Sequence, residues 1–208
     1  MHIRVFQKQI AICMRLIFAT NNQHKVEEMQ AAIGNVFELV SLKEAGIDID
    51  IPEPHNTLEE NASEKSWTIY RIYNNNCFSE DSGLEVDALN GEPGVKSARY
   101  AGEDKTPEHN INKLLLKLSD AANRSAQFRT VISLIIEGKE YLFEGSCKGT
   151  IVKLPAGTGG FGYDPIFIPA GADKTFAEMT LKEKELYSHR KKAADKLVMF
   201  LRALPLNH

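Results

Sequence analysis

The chain has 208 residues, of which 43% are hydrophobic and 25% charged, with a formal net charge of −3. That length suits one domain or two closely joined lobes with a real core, and the mildly acidic balance excludes a general pull toward nucleic acid or membrane surfaces, so a polyanionic ligand must be met by a local basic cluster. Three scattered cysteines, Cys13, Cys77 and Cys147, argue for a reducing compartment, the cytoplasm, and against a disulfide or zinc scaffold; no apolar run approaches the roughly 18 residues that span a bilayer.

In residues 1–13, MHIRVFQKQIAIC, the apolar core of a signal peptide is interrupted by Gln7, Lys8 and Gln9. They read as an extension with no part in the fold, and the domain as 14–208. Leu16–Ala19 predicts a buried strand. The polar run Thr20, Asn21, Asn22, Gln23, His24, Lys25 then opens a helix through Val26, Met29 and Ile33, with Gly34 as its stop. A strand, a polar loop and a helix N-terminus in that order commonly hold phosphate. Lys25, in the first turn, opposes the helix dipole: it is either an exposed lysine or one that faces an anion.

Phe37–Ser41 predicts a second strand. Residues 48–56, with Pro52 and Pro54, form a loop that carries Glu53. Thr57 and Glu60 make a capping box for a helix to about Asn74, with a buried stripe expected at Leu58, Ala62, Ile69 and Tyr73. Asn61 and Lys65 share one face of it. Cys77-Phe78 leads to Glu80-Asp81-Ser82-Gly83. Two adjacent acids suit a hard divalent cation, and the hydroxyl and glycine let backbone approach an anion. Alone, these four residues fit a solvated loop equally well.

Thr106-Pro107 starts a core helix with Ile111, Leu114, Leu115 and Leu118 on its apolar face. Phe128–Glu137, a turn at Gly138-Lys139 and Tyr141–Cys147 predict a hairpin, with a third strand at Gly149–Leu154. In Ala156–Pro165, the glycines at 157, 159 and 162 fit GxGxxG, but Tyr163-Asp164-Pro165 follows where a dinucleotide fold needs a helix, so the match is chance. Phe161, between glycines, either stacks on a nucleobase or packs on the core. Ser188 caps the last helix, built on Ala194, Leu197, Val198 and Leu201. His189 and Arg190 in its first turn, with Lys184 nearby, form a compact basic group that opposes the dipole unless a ligand uses it.

The segments TNNQHK, EENASEK, EDSGLEVDALNGEPGVKSARYAG, GTGGFGYDPIF and KELYSHR occur in the order found in the noncanonical purine nucleoside triphosphate pyrophosphatases. The chain resembles that family from about Arg15 to the C-terminal helix. The resemblance implies an α/β fold, a long twisted mixed β-sheet flanked by helices, in two lobes with an active-site cleft between them, usually as a homodimer. It implies Mg²⁺-dependent hydrolysis of ITP, dITP or XTP to the monophosphate and pyrophosphate. Thr20, Asn21, Asn22, Gln23, His24 and Lys25 then fall on the phosphate loop, with Lys65 assisting. Asp81 and Glu53 fall on metal positions, and so does Glu80, where many members carry aspartate. Ser82 and Arg99 are expected as substrate contacts, and Phe161, Gly162, Tyr163, Asp164, Lys184, His189 and Arg190 as the base pocket. A metal-bound carboxylate is a poor base near neutral pH, which favours metal activation of the attacking water with Asp81 as ligand. Neither nucleic acid nor a membrane is expected as a partner.

Overall fold

A computed structural model describes residues 14–102 and 106–204; the extension read into residues 1–13 lies outside them. Arg15–Phe18 (β1) pairs in parallel with Glu38–Ser41 (β2) and with Cys77–Val86 (β3). Two helices make the crossovers. Gln23–Ile33 (α1) begins where the Asn22 side chain accepts from the Lys25 amide, and Gly34 ends it. Leu58–Tyr73 (α2) is capped by Thr57 and stopped by Asn74 in the left-handed region; Glu59 and Glu60 in its first turn and Arg71 in its last complement the dipole.

Pro93–Gly94 (β4) is a short antiparallel partner of β3, and Pro107–Lys117 (α3) follows Thr106 as predicted. Ser125–Ile136 (β5) runs antiparallel along the whole of β3 and turns into Lys139–Ile151 (β6). The turn is Glu137-Gly138, with φ of 50° and 73°, one residue earlier than expected. A two-residue hairpin turn of this kind needs positive φ at both central residues. The separate third strand expected at Gly149–Leu154 does not exist. Cys147, Lys148 and Gly149 hold no turn-forming pair, so β6 runs unbroken to Ile151 and its next partner is Phe167–Pro169 (β7). The result is a mixed seven-stranded sheet in the order β2-β1-β3-β5-β6-β7, with β4 beside β3. Leu181–Glu185 (α4) and His189–Ala203 (α5) complete the chain.

The two largest apolar clusters of the described residues share this one sheet. Phe78 and Leu134 join Met29 and Leu197 in one; Leu84, Val86 and Phe128 join Ile111, Leu114 and Phe167 in the other. Each such side chain contributes roughly 1.5–3 kcal/mol by leaving water. Between them β3 reads Ser79-Glu80-Asp81-Ser82, a polar seam of which the first three residues are buried. The buried face of α2 shows the same mixture. Leu58, Ala62 and Ile69 are inside, but so are Asn61, Lys65 and Ser66, while Tyr73, in the last turn, is 37% exposed rather than part of the stripe. Ser66 Oγ meets Ser133 Oγ of β5 at 2.6 Å, so polar groups inside are answered by polar groups on the sheet.

Candidate active site

The seam lies at a gap in the sheet. β1 stops at Phe18, opposite Phe78, and β4 begins to pair only at Leu84. On that side, among the described residues, no strand pairs with Ser79–Gly83, and Lys25 of α1 reaches Glu80 there. Because side chains alternate along a strand, Glu80 and Asp81 leave β3 on opposite faces. Asp81 meets α2, and Glu80 meets α1 and α5.

On the α2 side, Lys65 Nζ lies 2.6 Å from Glu53 Oε1 and 2.9 Å from Asp81 Oδ1. The loop bearing Glu53 is tied down twice. Asn61 accepts from the His55 amide and donates to its carbonyl, and it also reaches Asp81 Oδ2 at 3.4 Å. Arg99 donates to the Glu53 carboxylate at 3.2 Å and to its carbonyl at 2.9 Å, so Arg99 shapes this loop. The two carboxylates have different strengths. Burial works against the Glu53 anion, but Lys65, with Lys25 and Arg99, holds it down to about 2. Burial raises Asp81, and the neighbouring Glu53 charge adds to that against the pull of Lys65. Asp81 is therefore the better proton acceptor of the two.

On the other face, Arg190 grips Glu80 with two parallel hydrogen bonds, Nε to Oε2 at 2.7 Å and Nη2 to Oε1 at 2.8 Å. Burial opposes the Glu80 anion, yet Arg190 and Lys25 bring it to about 2. Lys25 Nζ stands 3.4 Å from Glu80 Oε1. Burial, aided by Lys65 and Arg190, keeps Lys25 below the usual lysine value despite Glu80, so an arriving anion would help it hold its proton. Ser82 Oγ lies 2.5 Å from Thr130 Oγ1 and accepts weakly from Arg190. Thr20 and Asn22 shape the entry to α1 through short side-chain bonds, Asn21 donates to the Ile49 carbonyl at 3.1 Å, and Gln23 is the first helical residue. The first turn of α1 carries no acid, which leaves its amides suited to phosphate.

Farther along, Lys184 donates to Asp164 at 2.6 Å and to Glu28 at 2.7 Å, and Glu28 also accepts from Arg190. Asp164 in turn accepts from the Phe161 amide at 2.9 Å. This orders the glycine-rich loop. Gly160 sits at φ +69° with Asp164 where a Cβ would go, so no other residue fits there. Phe161 is half-buried, not exposed: Lys184 Nζ and Arg190 Cζ lie 5.2 and 5.6 Å from its ring centre, and His24 stacks on it. The positive charges near the start of α5 are thus answered inside the protein, by Glu80 and Glu28. Gly162 follows with open space where a side chain would be. Tyr163 is buried and donates its hydroxyl to the Ser97 carbonyl at 3.0 Å, a packing role. His189 stacks on Phe128, 4.8 Å between centres. Burial, with Arg190 and Lys184, keeps it neutral, far below the usual imidazole value. Among the described residues its Nδ1 is the one buried side-chain nitrogen or oxygen without a hydrogen-bond partner.

Most of the expected residues therefore gather about one seam, whose two ends are joined through Glu80–Arg190, whereas Tyr163 belongs to the core. Glu28 went unnoticed in the sequence. Its position, three residues after Lys25 and four after His24, places it on their side of α1, which was the only available signal.

Glu53 and Asp81 point oxygens at one ammonium, which marks a spot where positive charge is favoured. Mg²⁺ takes one or two protein carboxylates and completes its shell with water and phosphate oxygens, so this pair fits it. Among the described residues no three His, Cys, Asp or Glu side chains are grouped to hold a metal. Glu80 does not join the pair, because it leaves the strand on the other face and both its oxygens are committed to Arg190.

The chain is similar to known proteins over most of its length. The model of the Ham1 family matches residues 16–200. A dITP/XTP pyrophosphatase of Flavobacterium johnsoniae is 50% identical over 190 residues, covering 91% of this chain and 99% of that one. The solved Ham1 protein of Staphylococcus aureus superposes with a TM-score of 0.82 at 42% identity, over 90% of this chain and 98% of that one. A HAM1 protein of Coxiella burnetii gives 0.84 at 34% identity, over 92% and 100%.

Proposed function

The chain belongs to the Ham1 family, and from that premise we propose that it is a nucleoside triphosphate pyrophosphatase. It hydrolyses noncanonical purine nucleoside triphosphates, ITP, dITP and XTP, to the monophosphate and pyrophosphate. The observation that carries this reading is the single polar seam. At one end Glu53 and Asp81 share a cation; at the other Phe161 lies beside Lys184 and Arg190. A triphosphate with its base spans such a seam.

Glu53 and Asp81 would hold Mg²⁺, with Lys65 compensating their mutual repulsion until it binds. Bound there, Mg²⁺ supplies charge neutralisation of the phosphate oxygens and a more acidic water. Lys25 and the amides of the first turn of α1 hold the phosphate tail. With Mg²⁺ there Asp81 would serve mainly as a ligand, since a metal-bound carboxylate is a poor base near neutral pH. At the base end, Lys184 and Arg190 offer N–H donors that suit a 6-oxo purine. Adenine presents a 6-amino donor instead and would leave unpaired any N–H that these cations do not already give to Asp164, Glu28 and Glu80, a cost of roughly 1–3 kcal/mol per buried group.

We place the activity in the cytoplasm, in keeping with the buried free thiols of Cys77 and Cys147. Among the described residues no helix is long and apolar enough to cross a membrane. A homodimer is also part of the proposal, supported by exposed apolar side chains such as Leu142 and Met199, and sedimentation velocity tests it.

The deciding experiment is a panel of triphosphates with and without Mg²⁺, reading pyrophosphate against orthophosphate. Pyrophosphate release from ITP, dITP and XTP, lost on chelation, is the expected result. Release of orthophosphate, or equal turnover of ATP, would refute the reading.

A further inference from the structure

His24 and Glu28 are four residues apart on α1 and so share a face, and both reach the base end of the seam. The His24 imidazole lies parallel to the Phe161 ring, with 9° between the planes and 5.2 Å between the centres. Glu28 meets Lys184 and Arg190, the two cations that lie beside that same phenyl ring. The phosphate role of the loop does not call for this contact. Lys25 turns to Glu80 instead. Among the described residues His24 otherwise approaches Glu27 at 3.9 Å, between side chains that are both more than half exposed.

We propose that His24 is a base-specificity residue: it forms the second plate of a clamp whose first plate is Phe161, and the purine binds between the two rings. The proposal rests on the reading of the chain as a purine nucleoside triphosphate pyrophosphatase. A flat base held between two rings needs about 3.5 Å on each side, and so ring centres about 7 Å apart. At 5.2 Å the slot is shut, and it must open by about 2 Å to admit a base. His24 can yield at low cost, because its side chain is exposed and, among the described residues, it gives up one ring stack and a 3.9 Å approach to Glu27. Stacking on both faces favours the two-ring purine over a pyrimidine. Glu28 meanwhile keeps the two cations at the edge of the slot.

Full-length wild-type, His24→Ala and His24→Phe proteins are compared with ITP and UTP as substrates and inorganic triphosphate, which has no base, as inhibitor. His24→Ala is expected to raise the KM for ITP about tenfold, with most of the loss in KM rather than kcat, and to narrow the preference for ITP over UTP. His24→Phe, which keeps a flat ring, should lose much less. Inhibition by inorganic triphosphate should be the same in all three. An unchanged KM for ITP in His24→Ala would overturn the clamp, and so would a lowered one, which would mean that the ring only blocks the slot. A parallel loss of triphosphate inhibition would also overturn it, by assigning His24 to the phosphates. A wild-type protein that turns over no ITP would remove the underlying reading and the clamp together, whereas the other results remove the clamp alone.

Discussion

Lys65 Nζ lies 2.9 Å from Asp81 Oδ1, and both side chains are almost fully enclosed. An ammonium and a carboxylate can share such a place only as a pair, and here Glu53 extends the pair into a triad, with Arg99 on its outer oxygen at 3.2 Å. An entering divalent cation would compete with Lys65 for the two carboxylates.

Asp81→Asn tests this directly. Lys65 keeps Glu53 as a partner, so the unfolding free energy should change by no more than about 1 kcal/mol. Turnover of ITP should fall at least about a hundredfold. Steady-state kinetics beside urea unfolding checks both halves, and a stable variant that keeps most of its activity would exclude the assigned role.

Lys184 and Arg190 are separable although both serve the base end. Arg190→Ala strands the buried Glu80 carboxylate and should cost about 3–5 kcal/mol of stability, which obscures any effect on recognition. Lys184→Ala leaves Glu28 held by Arg190, and Asp164, already raised by burial, can take up a proton. This variant should therefore fold, raise the KM for ITP and narrow the ITP-to-ATP ratio of kcat/KM about tenfold. An unchanged ratio would count against Lys184 as a reader of the base edge.

Stability should fall with acid in two stages. His189 is buried neutral, with its value well below the usual 6.5. Below about pH 6.5 only the unfolded chain takes that proton, so stability declines. Glu80 sits at about 2 in the fold against 4.5 ordinarily. Its contribution is intact above about pH 4.5 and is lost as the pH falls toward 2, on the order of 3 kcal/mol in all. Urea titrations from pH 8 to 3 should show both slopes. His189→Phe, which preserves the stack on Phe128, should remove the first and leave the second. A flat profile between pH 6.5 and 4.5 in the wild type would contradict the buried neutral imidazole.

Gly145→Ala should be damaging through shape alone, since it changes no charge. A Cβ on this β6 residue would run into the His189 carbonyl and the Ala193 amide at the start of α5. The backbone cannot give way without moving the turn that carries His189 and Arg190. The expected cost is about 1–3 kcal/mol, with a raised KM for ITP, measured by thermal unfolding and kinetics. A fully stable Gly145→Ala would show that α5 is free to shift.

Much of the framework was legible because its signals are local. Asn22, Thr57 and Ser188 cap their helices where a side-chain oxygen can reach an amide two or three residues on, and Asn74 stops α2 through its tolerance of positive φ. The hairpin was legible too, but its turn was displaced by one residue. Glycine and lysine read as the turn, whereas the geometry required positive φ at Glu137 as well. The length of β6 was not legible, since a strand ends where its partners end, and β7 lies distant in sequence.

The order of segments and the residue types along them determined the family resemblance, most of the elements and most of the side chains that belong to the seam. Their division of labour was decided by tertiary structure alone. Alternation along β3 sends Glu80 and Asp81 to opposite faces, but which partners wait on each face depends on α2 packing on one side and α1 with α5 on the other. So Glu80 became the counter-ion of a residue 110 positions away, and Glu28 joined a site that its own helix did not announce. Burial is the physical reason. A charge removed from water must find its opposite nearby, and only the folded chain sets which opposite charge is near.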